Sequence, residues 1–200
     1  MQYQNKILLL SFAATVVLAL IIVPILKRLK VGQIERVEGP QSHLKKQGTP
    51  TMGGIIMIIV LIAVGAFMYW DFSKDQMEVA KALLPLVGVA VGFGFIGFID
   101  DFKKLVLKNT KGLSPKAKMF GLLVVSVAYS IVLVKVLNIG TEMYIPFVKE
   151  YITLPIWIYI PFAVIVMLAT TNAINLTDGI DGLSSSVTTM MITCLTVISI

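Results

Sequence analysis

Long apolar runs separated by short polar segments organise the chain. The runs Ile7–Leu26, Gly54–Trp70, Ala82–Ile99, Met119–Leu137, Leu154–Thr171 and Leu183–Ile200 each come close to the roughly 20 apolar residues that an α-helix needs to cross a bilayer. The pattern predicts an all-α, polytopic transmembrane helix bundle with six spans. The segment between the fourth and fifth runs differs. Thr141, Tyr144, Ile145, Phe147, Val148, Tyr151, Ile152 and Thr153 have strand-like composition, compatible with a short β-hairpin. Trp70, Trp157 and Tyr159 fall near span ends, where aromatic rings favour the headgroup region. No soluble domain, low-complexity linker or internal repeat interrupts the pattern. Residues 1–200 read as one integral membrane domain. The last run reaches Ile200 without a polar flank, so the chain is expected to be the N-terminal portion of a longer protein.

Composition agrees with the membrane reading. Hydrophobic residues make up 57% of the 200 and charged residues 14%, against about a quarter charged in soluble domains. Mean hydropathy is +0.90. The net charge of +6 is gathered in a few loops, which points to topology before nucleic-acid binding. Lys27–Thr51 and Asp100–Lys118 together hold twelve of the 17 basic residues, whereas Asp71–Lys81 and Asn138–Thr153 hold only Lys74, Lys81 and Lys149. The positive-inside rule then puts the two basic loops in the cytoplasm, the N-terminus outside, the hairpin segment on the outer face and Asn172–Gly182 inside. The first run has no small-residue cleavage site after it and reads as a retained span. The single cysteine, Cys194, lies in an apolar run, so no disulfide can form within the chain.

Three polar clusters fall on that same cytoplasmic side. The first is His43-Leu44-Lys45-Lys46-Gln47-Gly48-Thr49-Pro50-Thr51-Met52-Gly53-Gly54. Its glycines allow close backbone approach to a ligand, amides at a helix start point at anions, and Lys46 and the threonine hydroxyls can bind phosphate. The plain alternative is a Pro/Gly turn entering a helix with Thr51 as N-cap and His43 as a loop residue. The second is Asp100-Asp101, directly after an apolar run. Adjacent carboxylates at a membrane edge repel unless positive charge offsets them. One of them can meet a metal or substrate while a lysine holds the other; the alternative is ordinary flanking charge with Lys103 and Lys104 as solvated partners. The third is Asn172-Ala173-Ile174-Asn175-Leu176-Thr177-Asp178-Gly179-Ile180-Asp181-Gly182. Asn172, Asn175, Asp178 and Asp181 recur every three residues and, if helical, form one spiralling polar face. Oxygen-only ligands of this kind suit Mg²⁺, which takes a few carboxylates plus phosphates and waters. A polar turn between spans is the alternative. Carboxylates, a lysine and a Gly/Thr loop at one membrane face suggest phosphate chemistry on a lipid.

These three strings, in this order, resemble the phospho-N-acetylmuramoyl-pentapeptide transferases of the polyprenyl-phosphate N-acetylhexosamine-1-phosphate transferase superfamily. The resemblance covers essentially the whole sequence. It implies transfer of phospho-N-acetylmuramoyl-pentapeptide from UDP to undecaprenyl phosphate, giving lipid I and UMP with Mg²⁺, the first membrane step of peptidoglycan synthesis. By family analogy Asp100 and Asp101 stand near the lipid phosphate as catalytic residues, with Asp100 preferred for deprotonating it. Lys46, Thr51, Asn172, Asn175 and Asp181 bind substrate, and Asp178 binds the metal. The family fold implies about ten spans, a homodimer in the bacterial plasma membrane, and a cytoplasmic active-site cleft. The family's further metal-binding aspartate and histidine-rich loop come later in the chain and are absent from these 200 residues.

Rival readings leave distinct marks. A sibling that loads N-acetylglucosamine phosphate onto a polyprenyl phosphate shares the aspartate pair. Intramembrane prenyltransferases use spaced aspartate-rich motifs, but Asp100-Asp101 is followed by Phe102, Lys103 and Lys104. CDP-alcohol phosphotransferases follow Asp-Gly with Ala-Arg, missing after Asp178-Gly179. A transporter would place polar sites at mid-span, whereas the carboxylates here lie at span edges.

Overall fold

The computed structural model describes residues 2–28, 52–107, 112–145, 147–178 and 182–198. In chain order these form α1 (Gln2–Arg28), α2 (Gly54–Phe72), α3 (Met77–Leu107), α4 (Pro115–Ile131), a π-helical turn (Val132–Val136), β1 (Glu142–Ile145), β2 (Glu150–Thr153), α5 (Ile156–Thr177) and α6 (Leu183–Ile198). Among the described residues, five helical stretches are long and apolar enough to span a membrane: Tyr3–Arg28, Gly54–Phe72, Met77–Leu105, Pro115–Val136 and Ile156–Thr177. The sixth expected span appears as the shorter apolar helix α6. Its 16 described residues rise only about 24 Å.

Lipid, not a protein core, explains the surface. Large apolar side chains stand exposed all along the helices, such as Leu8, Phe12 and Leu20 on α1. Few are buried among the described residues, including Ile56 and Val60 on α2 and Leu122 on α4. In water that surface would drive aggregation; in hydrocarbon it is solvated. Four of the seven hydroxyls of α6 bond back to the helix itself. Ser186, Thr189, Thr193 and Thr196 each donate to the carbonyl four residues back, at 2.6–2.8 Å.

The contacts divide the chain into two compact units, Met1–Val125 and Ser126–Ile200. In the first, α2 lies between α1 and α3 in contact order. Tyr3 at the start of α1 meets Phe72 at the end of α2, with ring centroids 5.4 Å apart. Glycines admit branched side chains between the helices. A Cβ on Gly65 would lie 2.7 Å from Val87, and one on Gly94 would lie 2.6 Å from Ile58. These two pairs set α2 and α3 antiparallel and close, as small residues do in membrane helix pairs. Ile96 fits against Gly121 in the same way, which aligns the end of α3 with the start of α4.

In the second unit, α4 continues into the π-helical turn, where Leu137 N–H donates to Val132 O at 3.0 Å. The expected hairpin is present. β1 and β2 pair antiparallel with Tyr144 opposite Tyr151, their rings 5.2 Å apart. Thr141 Oγ1 closes its base by donating to Leu154 O at 2.6 Å.

Three boundaries differ from the sequence reading. Asp100 and Asp101 do not open a loop but lie within α3, which runs on to Leu107. Asn172 and Asn175 lie in α5, which runs on to Thr177. Hydropathy ends a span where charge begins, whereas helix hydrogen bonding continues into the interface. The N-cap of α2 is Gly53, with no side-chain cap bond, and not Thr51.

Candidate functional site

The end of α3 and the start of α4 converge on Asp100. Despite its charge, Asp100 is only 8% exposed. A carboxylate this buried must have its lone pairs filled. Oδ1 accepts from the Leu113 backbone N–H at 2.7 Å. Oδ2 lies 2.8 Å from Lys104 Nζ and 3.8 Å from Lys118 Nζ. Lys104 Nζ also donates to Asp101 Oδ1 at 3.1 Å. Helix geometry accounts for the lysine bridge, since residues three and four apart share a face. One ammonium therefore serves both carboxylates, and the repulsion between adjacent acids is offset inside a single helix.

Asp101 is less enclosed, its side chain 35% exposed. Lys103 and Lys116, on the same helix ends, are exposed. The helix ends thus present a neutralised carboxylate pair flanked by surplus positive charge. An anion such as phosphate would be drawn there and would compete with the carboxylates for Lys104.

A second polar set occupies the last turns of α5. Asn172 Nδ2 donates to Leu168 O at 2.7 Å, a bond that uses one of its two amide hydrogens and leaves its carbonyl oxygen as an acceptor. Asn175 is exposed one turn on. Asp178 is the C-cap, exposed, with its N–H bonded to Ile174 O at 3.1 Å. The three-residue series is therefore helical through Asn175 and ends at the cap. Lys46, Thr51 and Asp181 lie outside the described residues. Among the described residues, no three His, Cys, Asp or Glu side chains gather as a metal cluster.

Thus the structure joins Asp100 and Asp101 in the first unit and sets Asn172, Asn175 and Asp178 along one helix end in the second. The sequence predicts that a lysine holds one of the aspartates without saying which, with Lys103 and Lys104 as solvated partners in the alternative reading, and it gives no sign of Gly112, Leu113 and Lys118 around Asp100. Lys104 was legible from its i+3 and i+4 spacing to the aspartates. The others were not, because 12 to 18 residues separate them from Asp100. An open, mainly apolar cavity of about 360 Å³ in the second unit is lined by Tyr129, Leu133, Glu142 and Tyr159, at the hairpin end of α5 and away from Asp178.

Apolar spans whose compensated carboxylates and surplus lysines gather at helix ends define an integral membrane protein with a charged cluster at those ends. The chain belongs to glycosyl transferase family 4, whose profile matches residues 83–200. Residues 46–58 match the phospho-N-acetylmuramoyl-pentapeptide-transferase signature 1. The chain is similar to the phospho-N-acetylmuramoyl-pentapeptide-transferase of Acetivibrio thermocellus, 41% identical over 194 residues, covering 96% of this chain and 56% of that protein. It is 44% identical over 176 residues to that of Halalkalibacterium halodurans, covering 88% and 52%. To that of Clostridium botulinum strain Alaska E43 it is 44% identical over 186 residues, covering 93% and 54%. The chain therefore spans a little over half the length of the curated relatives it matches.

Proposed function

We propose that this chain carries part of the active site of an enzyme that transfers phospho-N-acetylmuramoyl-pentapeptide from UDP to undecaprenyl phosphate. A lipid phosphate oxygen attacks the sugar-bearing phosphorus of the nucleotide sugar, the pyrophosphate link breaks, and UMP leaves with lipid I as the other product. The observation that carries this choice is the match of residues 46–58 to a signature named for that transferase. The charged site supports it. Phosphoryl transfer requires positioning and charge compensation more than covalent chemistry from the protein.

In this reading Asp100 and Asp101 stand beside the lipid phosphate, and Asp100 is the expected proton acceptor. Lys104, already poised between them, orients phosphate oxygens. Asn172 and Asn175 face the nucleotide sugar, with Lys46, Thr51 and Asp181 as further substrate contacts. Mg²⁺ fits the donor set through one exposed carboxylate, Asp178, because the ion commonly takes one or two carboxylates plus substrate phosphates. When bound it would neutralise charge on the pyrophosphate. The charge asymmetry of the loops supports a plasma-membrane protein with its N-terminus outside and this site facing the cytoplasm. A second copy of the chain as partner rests on the resemblance alone.

The test uses the complete protein in detergent with undecaprenyl phosphate and Mg²⁺. UDP-N-acetylmuramoyl-pentapeptide and UDP-N-acetylglucosamine are supplied in parallel and UMP is measured. Release from the first substrate alone is expected. Release from the second alone would move the protein to the sibling branch, and release from neither in a folded sample would refute the transferase reading.

A further inference from the structure

Gly112 is buried and adopts φ +52°. A Cβ placed there would lie 2.5 Å from Asp100 Oδ1, 2.8 Å from Lys104 Cε and 3.1 Å from Lys104 Cγ. The first two distances are closer than packed side chains approach, and the third is a tight contact. The backbone at this point rests directly on the Asp100–Lys104 ion pair. The next residue, Leu113, donates its N–H to the same Oδ1 at 2.7 Å. Ser114 then caps α4, its Oγ accepting from Ala117 N–H at 3.2 Å. One turn further, Lys118 returns to Asp100 Oδ2 at 3.8 Å. Gly112, Leu113 and Lys118 therefore close around one carboxylate from outside its helix, while Lys104 holds it from within.

We infer that Gly112 is a positioning residue whose bare α-carbon lets the start of α4 lock onto Asp100, fixing Asp100 and Lys104 in the orientation the transfer uses. The kinetic consequence rests on the proposed transferase reading; the lock itself does not. Two demands fall on Gly112, and they separate experimentally. Positive φ is tolerated by asparagine as well as glycine, whereas any Cβ at this close approach must displace Asp100 Oδ1 and Lys104 from the positions they hold. Gly112→Asn thus meets the first demand and violates the second. Gly112→Ala violates both.

The complete protein and these two variants are compared by hydrogen exchange over residues 112–118 and by kcat and KM for UMP release. The Leu113 amide bond to a carboxylate is of the stronger kind, so exchange at Leu113 is expected to accelerate about tenfold or more in both variants. A tenfold or greater fall in kcat is expected, about 1.4 kcal/mol of barrier, with KM for the nucleotide sugar within about threefold of wild type. A merely structural loss would instead lower the folded fraction and leave kcat per folded molecule unchanged. Wild-type exchange and kcat in Gly112→Asn would overturn the inference and leave Gly112 a simple turn residue. Should the single variants fail to fold, Asp100→Ala removes the crowded oxygen. Recovery of folded Gly112→Asn/Asp100→Ala, in which asparagine meets the φ demand, supports the contact, and continued failure overturns it. If wild type releases no UMP, the transferase reading falls while the exchange measurement still decides the lock.

Discussion

Replacing Lys104 by methionine withdraws the cation that bridges Asp100 and Asp101. Distance alone does not rank the two interactions. At 2.8 Å and 3.1 Å the bare attractions are about 6 and 5 kcal/mol in an effective dielectric near 20. Burial does rank them. The Asp100 side chain is 11% exposed and that of Asp101 35%, while Lys104 itself is 40% exposed. Water recovers most of what Asp101 loses, so its coupling to Lys104 should be that of a surface pair, roughly 0.2–1 kcal/mol. Asp100 cannot be rehydrated in place, and its coupling should be roughly 1.5–3 kcal/mol, the range of hydrogen bonds to charged groups. Lys118 at 3.8 Å remains as a second cation and places the value toward the lower end. The assay is a pair of double-mutant cycles, Lys104→Met with Asp100→Asn and Lys104→Met with Asp101→Asn, read by denaturant unfolding of the complete protein in detergent. Repeating the first cycle in a Lys118→Met background should raise its coupling. Equal couplings, or a larger one for Asp101, would refute the assignment of Asp100 as the enclosed partner.

Asp100→Asn keeps an acceptor for the Leu113 amide but removes the charge, so it should fold and lose UMP release at least about a hundredfold, within the range for a general base; wild-type turnover would exclude an essential proton acceptor there. Gly94→Val forces methyl groups into Ile58, and about 1–3 kcal/mol of destabilisation is expected in unfolding titrations, whereas Gly97→Ala, with open space at its Cβ, should be within about 0.5 kcal/mol of wild type. Chelation should stop UMP release and added Mg²⁺ restore it, and Asp178→Asn should raise the Mg²⁺ needed for half-maximal rate by about tenfold, of the order expected for losing one metal contact; an unchanged Mg²⁺ requirement would remove Asp178 from the metal site.

Much of the architecture was written in one dimension. Apolar runs of about 20 residues have one solution in hydrocarbon, because helices satisfy their own backbone groups, and five of the six expected spans appear at full length. The hairpin between α4 and α5 was legible because Tyr144, Ile145, Tyr151 and Ile152 are residues that pair across strands. The bridge from Lys104 to the aspartate pair was legible in principle, since helical spacing is a property of local sequence. Hydropathy misplaced the helix ends at Asp100 and Asn172, because it marks where lipid ends and not where backbone hydrogen bonding stops.

The chain's local composition was enough to give a polytopic helical membrane protein and the order of its polar clusters, because each depends on residues within a turn or a span. Interhelical packing is what makes Asp100, and not Asp101, the enclosed carboxylate, with Gly112, Leu113 and Lys118 around it. Those contacts join separate helices, and their existence depends on how closely α3 and α4 pack, a distance set by side-chain volumes such as Ile96 against Gly121. Local sequence specifies which groups are available; the packing of helices specifies which of them meet.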